Sequence, residues 1–162
     1  MSVFIGIDNG VSGSIGIITD GGPCFIPTPV FKQQNYTKIK KNISRVNYLQ
    51  LKRELKGYGK PRMVMLERPM VNPGRFLATA SALRALEVTL VALEVLEFPY
   101  TFVDSKEWQS YLLPKGTKGP AELKKASMDI GCRLWPMLKT AIIKQHDADG
   151  LFLAEHARRV YG

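Results

Sequence analysis

The spacing of apolar and polar positions changes several times along the chain, and each change marks an element. Val3–Ile7 is a short run of β-branched and aromatic residues closed by Asp8, which predicts a buried strand. Gly10 and Gly13 mark a turn, Ser14–Thr19 a second strand, and Asp20-Gly21-Gly22-Pro23 the next turn. Cys24–Val30 reads as a third strand, short or at an edge because Pro27 and Pro29 cannot donate to a ladder. Together these three predict an antiparallel meander. Residues 31–43 are polar and basic and read as a loop. Ser44 is the expected N-cap of a helix to about Lys56, with Val46, Leu49, Leu51 and Leu55 as its apolar side and Gly57 as its stop. Arg62–Leu66 is a fourth strand ending at Glu67, and Arg68–Gly74 is a loop.

The longest helix is expected from Arg75 to about Glu97. Phe76, Ala80, Leu83, Leu86, Leu90 and Leu93 form one stripe at helical spacing, and Leu77, Val88, Val91 and Val95 widen it. Only Arg84, Glu87 and Glu94 make a clearly polar stripe. So much apolar surface suits either a helix shared with a partner subunit or one buried between the sheet and the C-terminal helices. Tyr100–Val103 is a fifth strand. Ser105–Leu113, Ala121–Leu134 and Ala148–Tyr161 are further helices, the first two joined by a Pro/Gly/Lys loop. A meander followed by strand–helix–strand units predicts an α/β fold with a mixed sheet and helices on both faces. No repeat or linker divides residues 1–162, so one domain is expected.

Charge sharpens this picture. The chain has 162 residues, 23 Lys+Arg and 14 Asp+Glu, a formal net charge of +9. Lys32–Arg62 holds ten basic residues and one acid, Glu54, so that window carries the whole excess. A single-sign patch of this kind suggests a polyanionic partner, with a solvated helix face and loop as the plainer reading. Lys115, Lys118, Lys124 and Lys125 form a second basic group. No uncharged apolar run approaches the ~18–20 residues that span a bilayer, so no membrane association is expected. The chain enters its first strand directly, without the pattern of a signal peptide, and Cys24 and Cys132 lack metal-ligand spacing. Both facts point to a reduced, cytoplasmic setting.

The chemistry lies in carboxylates at the ends of core elements. Asp8 closes the first strand and Glu67 the fourth; His146, Asp147 and Asp149 precede or open the last helix. Strand ends of α/β sheets are where ligands and metals sit. Carboxylates gathered there repel one another and need a cation between them, and hard oxygen ligands suit Mg²⁺ or Mn²⁺. Two such ions ~3.5–4 Å apart serve phosphodiester hydrolysis. Each residue also has a plainer role: Asp8 in an Asx turn, Asp147 as a helix cap, Glu67 in a surface ion pair, His146 as a structural residue. If His146 and Asp149 both lie on the helix, they share a face. His156 reads as structural or as a phosphate contact. There is no P-loop, no nucleophile elbow and no zinc pattern, so no nucleotide cofactor is expected.

These residues, taken in order, resemble a known family. Ile5-Gly6-Ile7-Asp8-Asn9-Gly10 with Ser12-Gly13-Ser14, then Leu66-Glu67-Arg68-Pro69, Val103-Asp104-Ser105-Lys106-Glu107-Trp108 and His146-Asp147-Ala148-Asp149-Gly150-Leu151, look like the successive motifs of RuvC-type Holliday-junction resolvases. The resemblance implies the RNase H-like fold: a five-stranded mixed sheet, three strands as an antiparallel meander and two parallel, flanked by helices. It implies Asp8, Glu67, His146 and Asp149 as catalytic residues. Metal would be held by Asp8, Glu67 and Asp149, with the choice between His146 and Asp147 open. It implies two Mg²⁺ ions, replaceable by Mn²⁺, and hydrolysis of four-way DNA junctions to 5′-phosphate products by a homodimer. Lys38, Lys40, Lys41, Arg68, Met70, Arg75, Lys115 and Lys118 would contact DNA, with Met70 where the family often carries an aromatic wedge. Action on other branched DNA or on RNA–DNA hybrid, or junction binding without catalysis, are the alternatives.

Overall fold

The strands are β1 (Val3–Ile7), β2 (Ser14–Thr19), β3 (Gly22–Pro27), β4 (Val30–Gln34), β5 (Asn42–Val46), β6 (Met63–Glu67) and β7 (Tyr100–Val103). The helices are α1 (Tyr48–Gly57), α2 (Phe76–Val95), α3 (Ser105–Leu112), α4 (Gly119–Leu134), α5 (Lys139–Gln145) and α6 (Asp149–Tyr161). The structure, a computed structural model, describes residues 2–162. Five strands form the main sheet in the order β3-β2-β1-β6-β7. β1, β2 and β3 pair antiparallel, and β6 runs parallel to both β1 and β7. This is the mixed sheet expected from the sequence.

Alternation along β1 divides the core, because successive side chains leave a strand on opposite faces. Val3, Ile5 and Ile7 join Val64 and Leu66 of β6 under α1 and α2. Phe4 and Met65 face the other way, into a second core with Trp108, Phe152 and Leu153 from α3 and α6. Helices therefore cover both faces of the sheet.

Residues 31–43 are not a loop. Val30–Gln34 pairs with Asn42–Val46 in a separate antiparallel hairpin, with Lys32 opposite Ser44. The third strand of the meander ends at Pro27 rather than Val30. Ser44 is thus a strand residue. Asn47 is the N-cap of α1, its side-chain oxygen accepting from Gln50 N–H at 3.1 Å. β4 is mostly exposed, so it lacks the apolar alternation of a half-buried strand. Val46 anchors β5 in the core beneath α2.

The stripe of α2 also differs from expectation. Its buried residues are Ala85, Thr89, Ala92 and Leu93, so small side chains bring the helix close to the sheet. The bulkier Phe76 and Leu83 are exposed instead, along with Leu77, Val91 and Val95. The C-terminal helices pack on the opposite face of the sheet, so they do not bury α2. Pro73–Val95 is long and apolar enough, by length and composition, to cross a membrane. It carries Arg84 and Glu87 and packs by one face on the sheet core. The short α5 was not expected, and the last helix begins at Asp149.

Three glycines set the position of α6. It lies against β1 and β2 where a Cβ on Gly6 or Gly16 would meet the backbone of Gly150, Leu151 or Ala154. A Cβ on Gly150 would in turn meet Gly16 N at 2.8 Å and Ser14 O at 2.9 Å. Gly150 N–H donates to Ser14 Oγ at 3.1 Å. This close approach brings the first turn of α6 to the end of β1.

Candidate active site

Parallel pairing of β1 with β6 aligns Ile7 with Leu66. The next residues, Asp8 and Glu67, therefore leave neighbouring strands at the same edge. The glycine-mediated seat of α6 adds Asp147 and Asp149. Carboxylate oxygens of Asp8, Asp147 and Asp149 all lie within 4.8 Å of one another. Asp8, Glu67 and Asp149 line a cleft of about 530 Å³ with the turn from Asn9 to Gly13, Met70, α2 residues Ala78, Ser81 and Ala82, and Lys124 of α4.

Two of the acids are held by groups that motif reading had assigned no role. Glu67 accepts from Ser105 Oγ–H at 2.5 Å through one oxygen and from Trp108 Nε1–H at 2.8 Å through the other. Trp108 is fully buried and stacks on Phe152 with ring centroids 5.9 Å apart, so its indole is a rigid donor. Ser127 Oγ–H donates to Asp149 Oδ1 at 2.5 Å, and Ser127 Oγ in turn accepts from Ala148 N–H at 2.9 Å. Asn9 ties the turn to α2, donating through Nδ2 to Ala82 O at 3.1 Å. A Trp or Ser just beyond a strand-end acid is the only sequence signal for such groups, and Ser127 lacks even that.

Asp147 is 1% exposed. Its Oδ1 accepts from Asp149 N–H at 3.3 Å, and its Oδ2 lies 3.5 Å from Lys124 Nζ. One carboxylate thus orders the helix start and faces the cluster, so cap and ligand are compatible roles. His146 sits differently from expectation. It ends α5 in the left-handed conformation, with φ of 69°, rather than lying on a helix with Asp149. It is exposed and outside the three-carboxylate group. His156 is buried, stacks on Tyr111 and has Nε2 3.5 Å from Glu107, which fits a structural residue.

The electrostatics show what the cleft lacks. Burial, then repulsion from Asp149, Glu67 and Asp147, holds the Asp8 carboxyl well above the ordinary carboxylate range. Burial and the charge of Asp147 push Asp149 up to about 7. Glu67 and Asp147 are raised by burial, against the hydrogen bonds that favour their ionised forms. Lys124 is the cation the protein itself places beside these acids. An all-oxygen, hard donor set with unneutralised charge fits Mg²⁺ or Mn²⁺.

The expected DNA contacts occupy several places. Met70 is 79% exposed at the cleft. With Arg75 and Arg68 it also lines an adjoining pocket of about 300 Å³. Arg68 Nε pairs with Asp104 at 3.1 Å while its guanidinium lies over Phe102. Lys38, Lys40 and Lys41 sit in the exposed tip of the β4–β5 hairpin, and Lys115 and Lys118 in the exposed loop before α4. The basic window is therefore split between the hairpin and the outer side of α1.

The order and sense of the five strands, with helices on both faces, are those of the RNase H-like fold in its RuvC form. Two solved structures share it. T. thermophilus RuvC in complex with Holliday junction substrate is 15% identical, with a TM-score of 0.53, over 94% of this chain and 90% of that one. A second Thermus thermophilus RuvC structure is 14% identical, with a TM-score of 0.54, over 98% of this chain and 97% of that one. At such identity the likeness is one of fold. No family model matches the chain, and no curated protein does.

Proposed function

We propose that this chain, as one nuclease domain over residues 1–162, is a metal-dependent endonuclease that resolves four-way DNA junctions by paired, symmetric phosphodiester hydrolysis. The observation that carries the reading is the convergence of Asp8, Asp147 and Asp149 within 4.8 Å, with Glu67 in the same cleft, on a fold shared with RuvC. A RuvC of that fold has been solved with a Holliday junction substrate, and we take the same substrate class for this protein.

Asp8, Glu67, Asp147 and Asp149 would hold two Mg²⁺ ions, which Mn²⁺ could replace. When bound, these supply charge neutralisation at the scissile phosphate and polarisation of the attacking water, leaving a 5′-phosphate and a 3′-hydroxyl. The protein's own groups act around that chemistry. Ser105 and Trp108 fix both oxygens of Glu67, and Ser127 fixes Asp149, so the ligands are pre-set rather than recruited. Lys124 offers a positive charge in a cleft that otherwise repels phosphate. His146, exposed outside the three-carboxylate group, remains a candidate proton carrier.

Lys38, Lys40, Lys41, Arg68, Arg75, Lys115 and Lys118 would hold the backbone, with Met70 projecting as an apolar wedge. Paired cutting requires two sites, and the exposed apolar side of α2 supports a homodimer. The test is cleavage of a synthetic four-way junction in Mg²⁺ beside linear duplex and RNA–DNA hybrid. Junction-selective cutting is expected, abolished in Asp8→Asn with junction binding retained. Equal cutting of linear duplex or hybrid refutes the junction assignment; activity in Asp8→Asn refutes the metal assignment.

A further inference from the structure

The β4–β5 hairpin folds back over α2 through an aromatic contact at its tip. The Arg84 guanidinium of α2 lies over the Tyr36 ring, 5.5 Å from its centroid. Tyr36 is nonetheless 59% exposed, so much of its side chain is open to solvent. Between hairpin and helix is a hollow of about 230 Å³, with an apolar wall including Val46 and Val88 and with Arg45 and Glu87 among its polar groups. Val11 and Ser81 line both this hollow and the acidic cleft, so the two are neighbours.

We propose that Tyr36, backed by Arg84, is a stacking platform for an unpaired nucleobase of DNA entering the acidic cleft. The inference deepens the preceding reading and takes nucleic acid as the partner from it. Three features favour a base over any other occupant. The hairpin that carries the platform is cationic: Lys32 to Val46 contains no acid, and Lys38, Lys40 and Lys41 make no ion pair among the described residues. They suit a phosphate backbone running past the hairpin. A tyrosine with one face supported by a guanidinium presents the other to a π-system, and every base has one. Arg45, which also donates to Gln33 Oε1 at 2.9 Å and lies over Phe31, and Glu87 add donor and acceptor groups of the kind that read a base edge. A fully paired duplex offers no free base face, so the platform selects for opened strands.

The test uses a single-stranded dT oligonucleotide carrying one 2-aminopurine, bound in EDTA so that no cleavage occurs. The wild-type protein should quench the probe. Tyr36→Leu should lose the quenching and bind at least about five-fold more weakly, while Tyr36→Phe, which keeps the ring, behaves as wild type. Affinity for a blunt duplex of the same length should be unchanged in both variants, which also reports that the hairpin remains folded. Equal quenching by Tyr36→Leu, failure of Tyr36→Phe to preserve it, or an equal loss on duplex overturns the inference, as does wild-type affinity for an acidic peptide without affinity for the oligonucleotide. The readout is independent of junction cleavage. Quenching that depends on Tyr36 in a protein that cuts no junction would refute the proposed function and leave the platform intact; junction cleavage without such quenching would do the reverse.

Discussion

The carboxylate cluster should cost the metal-free protein stability, and Asp149 allows the size of that cost to be worked out. Its carboxyl has an ordinary value of 3.8 and lies at about 7 in the fold. The folded state therefore holds this proton more tightly than the unfolded chain does. Its stabilising effect is complete below 3.8 and is lost as pH rises through about 7. That interval corresponds to roughly 4 kcal/mol as a ceiling, and relaxation and water entry in an open cleft reduce it to about 2 kcal/mol. Asp8, Glu67 and Asp147 are shifted in the same direction and reinforce the trend. Glu155, lowered from 4.5 by its bonds to Arg158 and Arg159, acts only at more acid pH. The perturbation is Asp149→Asn, whose carboxamide oxygen can still accept from Ser127. In EDTA at pH 8 the variant should melt higher than wild type by about 4–8 °C, at ~2–4 °C per kcal/mol for a chain of this size. At pH 5 the gap should be less than half as large, and it should close toward pH 3.8. Saturating Mg²⁺ at pH 8 should raise the wild type and leave the variant much less affected. Thermal unfolding followed by circular dichroism measures all of these. A wild-type melting temperature that is flat or rising from pH 5 to 8 in EDTA, or a variant no more stable than wild type at pH 8, refutes the reasoning.

Other consequences concern positioning, packing and assembly. Trp108→Phe keeps the stack on Phe152 but removes the donor to Glu67. It should lower the cleavage rate about 10–100-fold and raise the Mg²⁺ needed for half-maximal activity, and unchanged Mg²⁺ dependence would contradict this. Gly16→Ala forces a methyl into the backbone of α6 and should cost about 3 kcal/mol or more in urea unfolding; a neutral result would show that α6 is not seated as described. Leu77→Glu places a charge on the exposed side of α2, so the proposed homodimer should give way to monomer in sedimentation, and an unchanged dimer would move the interface elsewhere. Replacing Lys38, Lys40 and Lys41 by Ala should reduce the slope of log affinity against log salt by about 3; an unaltered slope would place the hairpin away from DNA.

The main sheet was legible because its strands meet two strong constraints. β1 and the first part of β2 are buried, which demands apolar residues, and Gly, Pro or Asp closes them. The acids were legible for a related reason: packing does not explain Glu67 at the end of Met63-Val64-Met65-Leu66. The hairpin was not legible, because Lys32, Gln34 and Asn42 are exposed and carry no face-specific pattern. The stripe of α2 was misassigned because the closest helix–sheet contact selects Ala85, Thr89 and Ala92, whereas periodicity weights large residues. The holding groups are the hardest to see. Ser14 and Gly150 are bonded across 136 residues, and Ser127 reaches Asp149 across 22. Serine has no pattern in sequence that announces such a partner.

The two charge features of the chain bear on each other. The carboxylates of Asp8, Glu67 and Asp149 line one cleft and, when ionised, would repel the phosphate that the basic hairpin attracts, and the hollow beside the hairpin shares Val11 and Ser81 with that cleft. Charges closer than the Debye length of about 8–10 Å still interact at physiological salt. The formal +9 counts these acids as ionised and therefore understates the attraction once divalent cations occupy them. On the proposed function, substrate binding would be coupled to metal loading without any moving part, because bound cations would offset the negative charge of the cleft. Non-hydrolysable Ca²⁺ complexes of the junction should accordingly be tighter than metal-free ones, and the difference should vanish when Asp8, Glu67 and Asp149 are all neutralised. An undiminished Ca²⁺ effect in that triple variant would place the coupling somewhere other than these acids.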